Sequence, residues 1–599
     1  MILHDSHSTA YRDPIGPVRA GERLTLRFFC DESDDVALRT WNGAEHFTPM
    51  TAVSDHLFEV TVTVPATPML FWYDFTVRKP DGDVRYGNAP DQLGGVGAAL
   101  SDAPRSYQVT VYDPAYSTPA YLREGIIYQI FPDRFNRGKA TPTPEQQSAI
   151  AKAHPEATFH PRWTDAPALD VDPENGDNRA LDFFSGTLAG ITEKLDYLLA
   201  LGVTVIYLNP VVRARTNHRY DTGDYETVDP VLGTDEDFCT LTRTAAQHGI
   251  RVLADGVFSH TGADSKYFNR FGRYETVGAA QSQQSPYYAW YHFDHFPDRY
   301  RAWWGFYTLP ALEKDQPDYR RYLLDPVGGV LPLWMKRGAC GWRLDVADEL
   351  PMDLLRQMRA AVKAQNPEGT LLGEVWEDAS NKLSYGLQRS YCLGDTLDSV
   401  MNYPLRRAII DFFTKRTTAH DLARLILHQR EVYPAPFLYS LMNLLGSHDR
   451  VRALNAFAGL DRDGIIQMPR EEAQKIRLEP EALALAKERY LEALRLLCAL
   501  PGAPTVYYGD ELGMQGMADP WNRAPMDWDG GDAVFWSAVS GLMNYRRLHP
   551  VLMTGHMAVT AADDDTLTVR RYAEHGLDVF GQPLSGEEIT LTVTRNLQA

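Results

Sequence analysis

The sequence predicts a (β/α)8, or TIM, barrel flanked by two β-modules. Three observations carry this. Short apolar strand-like runs alternate with helical stretches over residues 119–549. Residues 1–118 show strand patterns with no helical periodicity. Residues 550–599 return to strands.

The first module contains "ERLTLRFFC", "HLFEVTVTVP", "MLFWYDFTVR" and "SYQVTVYD", separated by turn signals such as "KPDGD". A β-sandwich is the natural reading. The barrel then opens with "GIIYQIFP" (125–132). A helix follows in "LAGITEKLDYLLALG", with Leu188, Ile191, Leu195, Leu198 and Leu199 on one face and Gly202 closing it. "VTVIYLNP" and "IRVLADGV" supply strands two and three, with the helix "DEDFCTLTRTAAQHG" between them. "RLDVAD", "TLLGEVW", "SVMNYP", "FLYSLMNLLGS" and "PTVYYGDE" supply the other five. An open doubly wound sheet is the alternative, but no G-x-G-x-x-G follows the first strand. Two inserts interrupt the alternation. Residues 138–185 are polar and proline-rich, and residues 261–308 are aromatic-rich. Long loops after barrel strands lie at the C-terminal face, where barrel sites are built. The final module, with "TLTVRRY" and "EITLTVTRN", is short for an independent unit and is expected to be reduced or truncated.

Bulk properties narrow the partners. A chain of 599 residues with 44% hydrophobic residues can bury ample core without disulfide or metal staples. The net charge of −20 argues against nucleic acid and anionic membranes, but is indifferent to a neutral ligand. The five cysteines are scattered and never form CxxC, which suggests reduced thiols in the cytoplasm and no zinc site. No secretory signal or apolar run of membrane-spanning length is visible.

The chemistry gathers at strand ends. Strand three ends in "DGVFSH", with Asp255 and His260. Strand four gives "GWRLDVADE", with Arg343 and Asp345 on one face. Strand five ends in Glu374, and strand seven runs into His448 and Asp449. A barrel brings these ends to one mouth. Each motif alone has a structural explanation: a capped turn, a buried ion pair, a strand end. The ordered set at successive strands does not. Converging carboxyls repel, so their environments should separate their titrations. Arg343 is expected to hold Asp345 ionised, and the apolar flank Val375–Trp376 to keep Glu374 protonated. That pair is the equipment of retaining glycoside hydrolysis. His260 and His448 are expected to hydrogen-bond sugar hydroxyls, and Asp449 to strengthen such contacts in the transition state.

The set "DGVFSH", "GWRLDVADE", "GEVW" and "GSHD" resembles the four signature regions of the α-amylase family of glycoside hydrolases. "IFPDRF", "HRYDTGDYETVDP" and "PTVYYGDELGM" agree, so the resemblance spans about residues 120–550. The N-terminal β-domain and "DPWNR" (519–523) resemble the neopullulanase, cyclomaltodextrinase and maltogenic amylase group. The resemblance implies Asp345 as nucleophile, Glu374 as acid/base and Asp449 as transition-state stabiliser. It implies Arg343, His260 and His448 as partners of sugar and carboxylates. Tyr220 matches the aromatic under the sugar, Asp519 and Arg523 a pair touching the next sugar, and Asp255 and Asp224 supporting acids. A homodimer formed through the N-terminal domain is also implied.

The sequence departs from the family pattern at Ser259, at Leu309–Glu313 and at Asp348–Glu349. Many members bind calcium after strand one. Arg137, Lys139 and Thr187 stand in that loop here, so weak or absent calcium binding is expected. "DPENGD" (172–177) is the remaining acidic stretch. Three readings result: an α-glucan hydrolase, a glycosyltransferase or isomerase on the same barrel, and a non-catalytic sugar binder. The last would be expected to have lost one of Asp345, Glu374 and Asp449.

Overall fold

The computed structural model describes all residues except 34, 81, 101–104, 173–177, 463–467 and 598–599. Eight parallel strands form the barrel: β1 (Ile127–Ile130), β2 (Val205–Leu208), β3 (Arg251–Gly256), β4 (Gly341–Leu344), β5 (Thr370–Gly373), β6 (Ser399–Val400), β7 (Met442–Leu444) and β8 (Ala503–Tyr507). Their order is 6-5-4-3-2-1-8-7. Between β6 and β7 the ring closes through a parallel bridge joining Met401 and Met442. The Asn402 amide donates to the Met442 carbonyl across it, at 2.9 Å.

The strands are buried on both faces, which is why they read as continuous apolar runs. Ile127, Val205, Tyr207, Leu253, Leu372, Met442 and Leu444 fill one cluster. Their neighbours Tyr128, Ile206, Val252 and Leu371 face the surrounding helices.

Two expected elements are divided. The helix after β1 breaks into Leu188–Thr192 and Leu195–Leu201, because Lys194 leaves helical geometry. Its ammonium lies 3.7 Å from the centre of the Trp528 ring. A tertiary cation–π contact thus overrides an unbroken apolar stripe. The stretch 437–447 is not one strand either. Ala435–Leu438 closes a helical turn before β7 begins.

The N-terminal residues form one sheet of five strands and one of seven. They enclose their own core around Leu26, Phe28, Tyr73, Phe75 and Val109. This unit is fixed to the barrel by charge as well as shape. Buried Arg12 donates to Glu431, in the helix Ala419–Val432, at 2.7 Å. The Thr110 hydroxyl donates to the Val432 carbonyl, also at 2.7 Å. At the other end, His556–Ala561, Thr566–Tyr572 and Ile589–Thr594 pair antiparallel. Met557, Val559, Leu567 and Val569 join the same apolar core as the barrel helices. The C-terminal sheet therefore has no core of its own, which is how so short a segment stays folded.

Candidate active site

The rim of the barrel is organised by one guanidinium. Arg343, on β4, is fully buried. Its Nη1 donates to Asp255 Oδ1 and to Asp345 Oδ1, both at 3.0 Å. Its Nη2 lies 2.8 Å from Glu374 Oε2. Carboxyls from the ends of β3, β4 and β5 thus meet on one fork, whose fixed planar geometry sets their spacing.

Asp255 is an anchor. Its Oδ2 accepts from the Tyr207 hydroxyl at 2.7 Å and the Tyr220 hydroxyl at 2.8 Å. Tyr220 stacks on His448, with ring centres 5.3 Å apart. Gln129 Nε2, a pure donor, lies 2.7 Å from His448 Nδ1, which must therefore accept. His448 Nε2 is left carrying the proton and donates to the Tyr220 hydroxyl oxygen, at 2.7 Å. Asn209 donates to the same oxygen. Burial, with Arg523 and Arg343 nearby, keeps His448 neutral, well below the ordinary histidine range.

His260 is held similarly. Nε2 donates to the Tyr220 carbonyl at 3.1 Å, and Nδ1 accepts from the Ser259 hydroxyl at 3.0 Å. Burial pushes its titration down to about 3. The expected contacts of both histidines with sugar hydroxyls stand beside these protein contacts. Every ring nitrogen already has a protein partner, and Ser259 supplies one of them. What the histidines do in this state is lock Tyr220.

The electrostatic expectation also changes. Glu374 does not sit in an apolar flank. The Trp376 indole donates to Oε1 at 3.0 Å and the Val346 amide to Oε2 at 2.9 Å. Val346 is β-branched yet left-handed (φ 38°), a strained conformation that aims its N–H at the neighbouring acid. Arg343 does not hold Asp345 alone, because it is divided among three carboxyls. Burial raises Asp345 well above the usual aspartate range, and Glu374, Asp255 and Asp449 add to this against Arg343. Asp449 is pushed up to about 7 by burial and by Glu374. Its side chain keeps 28% exposure, so cleft water offsets part of that. Burial and mutual repulsion thus favour the protonated forms of Asp345 and Asp449, whose titrations are shared with their neighbours.

Asp449 Oδ2 lies 3.1 Å from His448 Nε2, and its Oδ1 lies 3.6 Å from Arg523. Arg523 also reaches Asp519 at 3.1 Å. These residues join the rim, whereas Asp224 does not and instead pairs with Lys266 at 2.7 Å. A cavity of 380 Å³ lies on the Tyr220 side, lined also by Trp303, Phe306, Asp519 and Arg523.

Several supporting residues escaped sequence reasoning. Gln129, Asn209 and Tyr207 have no motif to mark them. The aromatic insert was visible, but its working residues were not. Trp303 packs near His260 and stacks on Trp304. Trp304, 66% exposed, donates to Glu349 at 3.1 Å, and the Tyr385 hydroxyl donates to the same carboxylate. Asp348 pairs with Lys382. The departure at Asp348–Glu349 thus ties the aromatic wall to the loop after β5.

Comparison with known proteins decides the family. The model described as "Alpha amylase, catalytic domain" matches residues 129–539. The chain belongs to the α-amylase family. Among curated family relatives, the amylopullulanase of Thermoanaerobacterium saccharolyticum is 32% identical over 99% of this chain. The chain spans 48% of that relative's length, and under half of the other amylopullulanases first matched. The cyclomaltodextrinase of Geobacillus thermopakistaniensis is 34% identical over 75% of this chain and 66% of its own. Among solved structures, cyclic α-maltosyl-(1→6)-maltose hydrolase from Arthrobacter globiformis aligns with a TM-score of 0.61. It has 30% identity and covers 76% of this chain and 90% of that one.

The loop after β1, where the resemblance implies calcium in many family members, is held by protein hydrogen bonds among the described residues. Thr187 caps the helix Leu188–Thr192, and its hydroxyl donates to the Arg137 carbonyl at 2.9 Å. The Arg137 guanidinium donates to the carbonyls of Phe184, Pro161 and His160. Asp133 accepts from the amides of Phe184 and Ser185. Of "DPENGD", residues 173–177 lie outside the described residues.

Proposed function

We propose that this chain is a retaining α-glucan hydrolase acting on α-1,4 bonds, with α-1,6 bonds as a second target. The observation that carries this is the shared fork: Asp345 on Nη1 and Glu374 on Nη2 of Arg343. Retaining hydrolysis needs two carboxyls close together, about 5–5.5 Å apart, and the shared guanidinium supports this by holding both as neighbours. In the first step, Glu374 gives a proton to the glycosidic oxygen as Asp345 Oδ attacks the anomeric carbon. The leaving sugar departs with the proton. In the second, Glu374 takes a proton from water, which displaces Asp345 and regenerates both groups. Asp449, between His448 and Arg523, lies where it can bind hydroxyls of the distorted ring. The amylopullulanase and cyclomaltodextrinase names of the relatives support linear, branched and cyclic glucans as substrates.

The test is proton NMR of the first products from cyclodextrin, pullulan and starch. New reducing ends should appear as the α-anomer before mutarotation. A β-anomer, or no turnover on all three, would refute the proposal.

We also propose that the N-terminal β-unit pairs two chains and that the protein works in the cytoplasm. The five unpaired cysteines support a reducing compartment. Among the described residues, no helix is long and apolar enough to cross a membrane. Light scattering should give a dimer mass, and a monomer at micromolar concentration would end the pairing idea.

A further inference from the structure

A second cavity, of 670 Å³, is lined by Trp376, whose indole donates to Glu374, and shares no lining residue with the first. At its mouth Trp376 stacks on Tyr403, with ring centres 3.9 Å apart. Its described lining holds five arginines, at 406, 407, 416, 450 and 462, against Asp411 and Asp461. On a chain of net charge −20, such a local positive excess is out of character.

Part of it is structural. Arg406 and Arg450 both reach Asp461, at 2.6 and 2.5 Å, and Arg416 reaches Asp411 at 2.9 Å. The remainder is less fully paired among the described residues. Arg407 lies 3.6 Å from Asp411, which Arg416 already occupies, and its side chain is 82% exposed. Arg462 makes no ion pair among the described residues. Among the described residues, four buried donors here have no hydrogen-bond partner: Arg406 Nη2, Arg416 Nε, Arg450 Nε and the Thr417 hydroxyl. Arg406 is only 3% exposed, so bulk water does not relieve it.

A guanidinium cluster with spare donors matches the phosphate group, which brings up to two charges and three acceptor oxygens. A neutral hydroxyl would leave the charge unmatched. The Trp376 ring adds a flat apolar platform of the kind a sugar face covers, and its indole holds Glu374. Tyr403 covers one side of that ring and the Arg450 guanidinium lies 5.9 Å from its centre, so the platform adjoins both the acid and the arginines. We propose that this cavity binds the phosphomonoester of a phosphorylated sugar or glucan whose neighbouring units occupy the cleft. The sugar part rests on the glucan-cleaving reading, whereas the phosphate part stands on the arginines.

The test is isothermal titration of the full chain at low salt with glucose 6-phosphate, inorganic phosphate and glucose in separate arms. Glucose 6-phosphate should bind saturably and more tightly than either of the others, and added salt should weaken it. The double variant Arg407→Gln/Arg462→Gln should weaken binding at least about tenfold. Neither residue braces Asp461, so hydrolysis of neutral malto-oligosaccharides should be unchanged. Glucose 6-phosphate binding no better than glucose, or unaltered in the double variant, would overturn the proposal. Equal binding of inorganic phosphate would overturn its sugar part. A chain that binds glucose 6-phosphate yet cleaves no glucan would defeat the proposed function and leave the phosphate site standing.

Discussion

Asp345→Asn is expected to cut turnover on α-glucans at least ~10³-fold while leaving the barrel folded. The amide keeps the shape of the side chain but cannot attack the anomeric carbon. Folding survives because Arg343 retains Asp255 and Glu374 as partners. The variant should also change how stability follows pH. In the native state Asp345 holds its proton more tightly than in the unfolded chain, mainly through burial. Its contribution is therefore complete below about pH 4 and declines as pH rises toward the native value. An asparagine has no such proton to lose. The melting temperature of the variant should fall less than that of the wild type between pH 5 and pH 8. Calorimetry and initial rates on the same samples check both halves. A rate near wild type would remove Asp345 from the chemistry. Equal pH slopes for the two proteins would show that its ionisation is not linked to folding.

Arg343→Met should abolish activity and destabilise the barrel by about 3–5 kcal/mol near neutral pH. The side chains are of similar length, so the effect is chiefly one of charge. Without the guanidinium, carboxyls from β3, β4 and β5 face one another with no cation among them. Acid should relieve this, because protonated carboxyls no longer repel. The loss in apparent melting temperature should therefore shrink at pH 4.5. A deficit that stayed constant with pH would mean that Arg343 acts through packing.

Much of this architecture can be read from the chain, and the reason is physical. Strands buried on both faces leave continuous apolar runs, so all eight barrel strands show. Charged side chains at their ends contradict that apolar context and so mark the rim. What is hidden depends on partners distant in sequence. Gln129, which fixes the proton on His448, looks like any polar residue in a strand. The break at Lys194 comes from Trp528, more than three hundred residues away. The division of Arg343 among three acids could not be inferred from its neighbour Asp345 alone, because Glu374 arrives from another strand. The contact between Glu374 and Trp376 is also hidden, although the two lie two residues apart. Trp376 turns a polar N–H, rather than its hydrocarbon face, toward the carboxyl.

The left-handed turn at Val346 makes the two acids a single mechanical part. The peptide that leaves one of them grips the oxygen of the other. Neither can be relocated alone: grafting a foreign segment behind the fourth stave would retune the proton donor on the fifth. Attempts to redirect such a catalyst toward new chemistry would do better to exchange the two segments together.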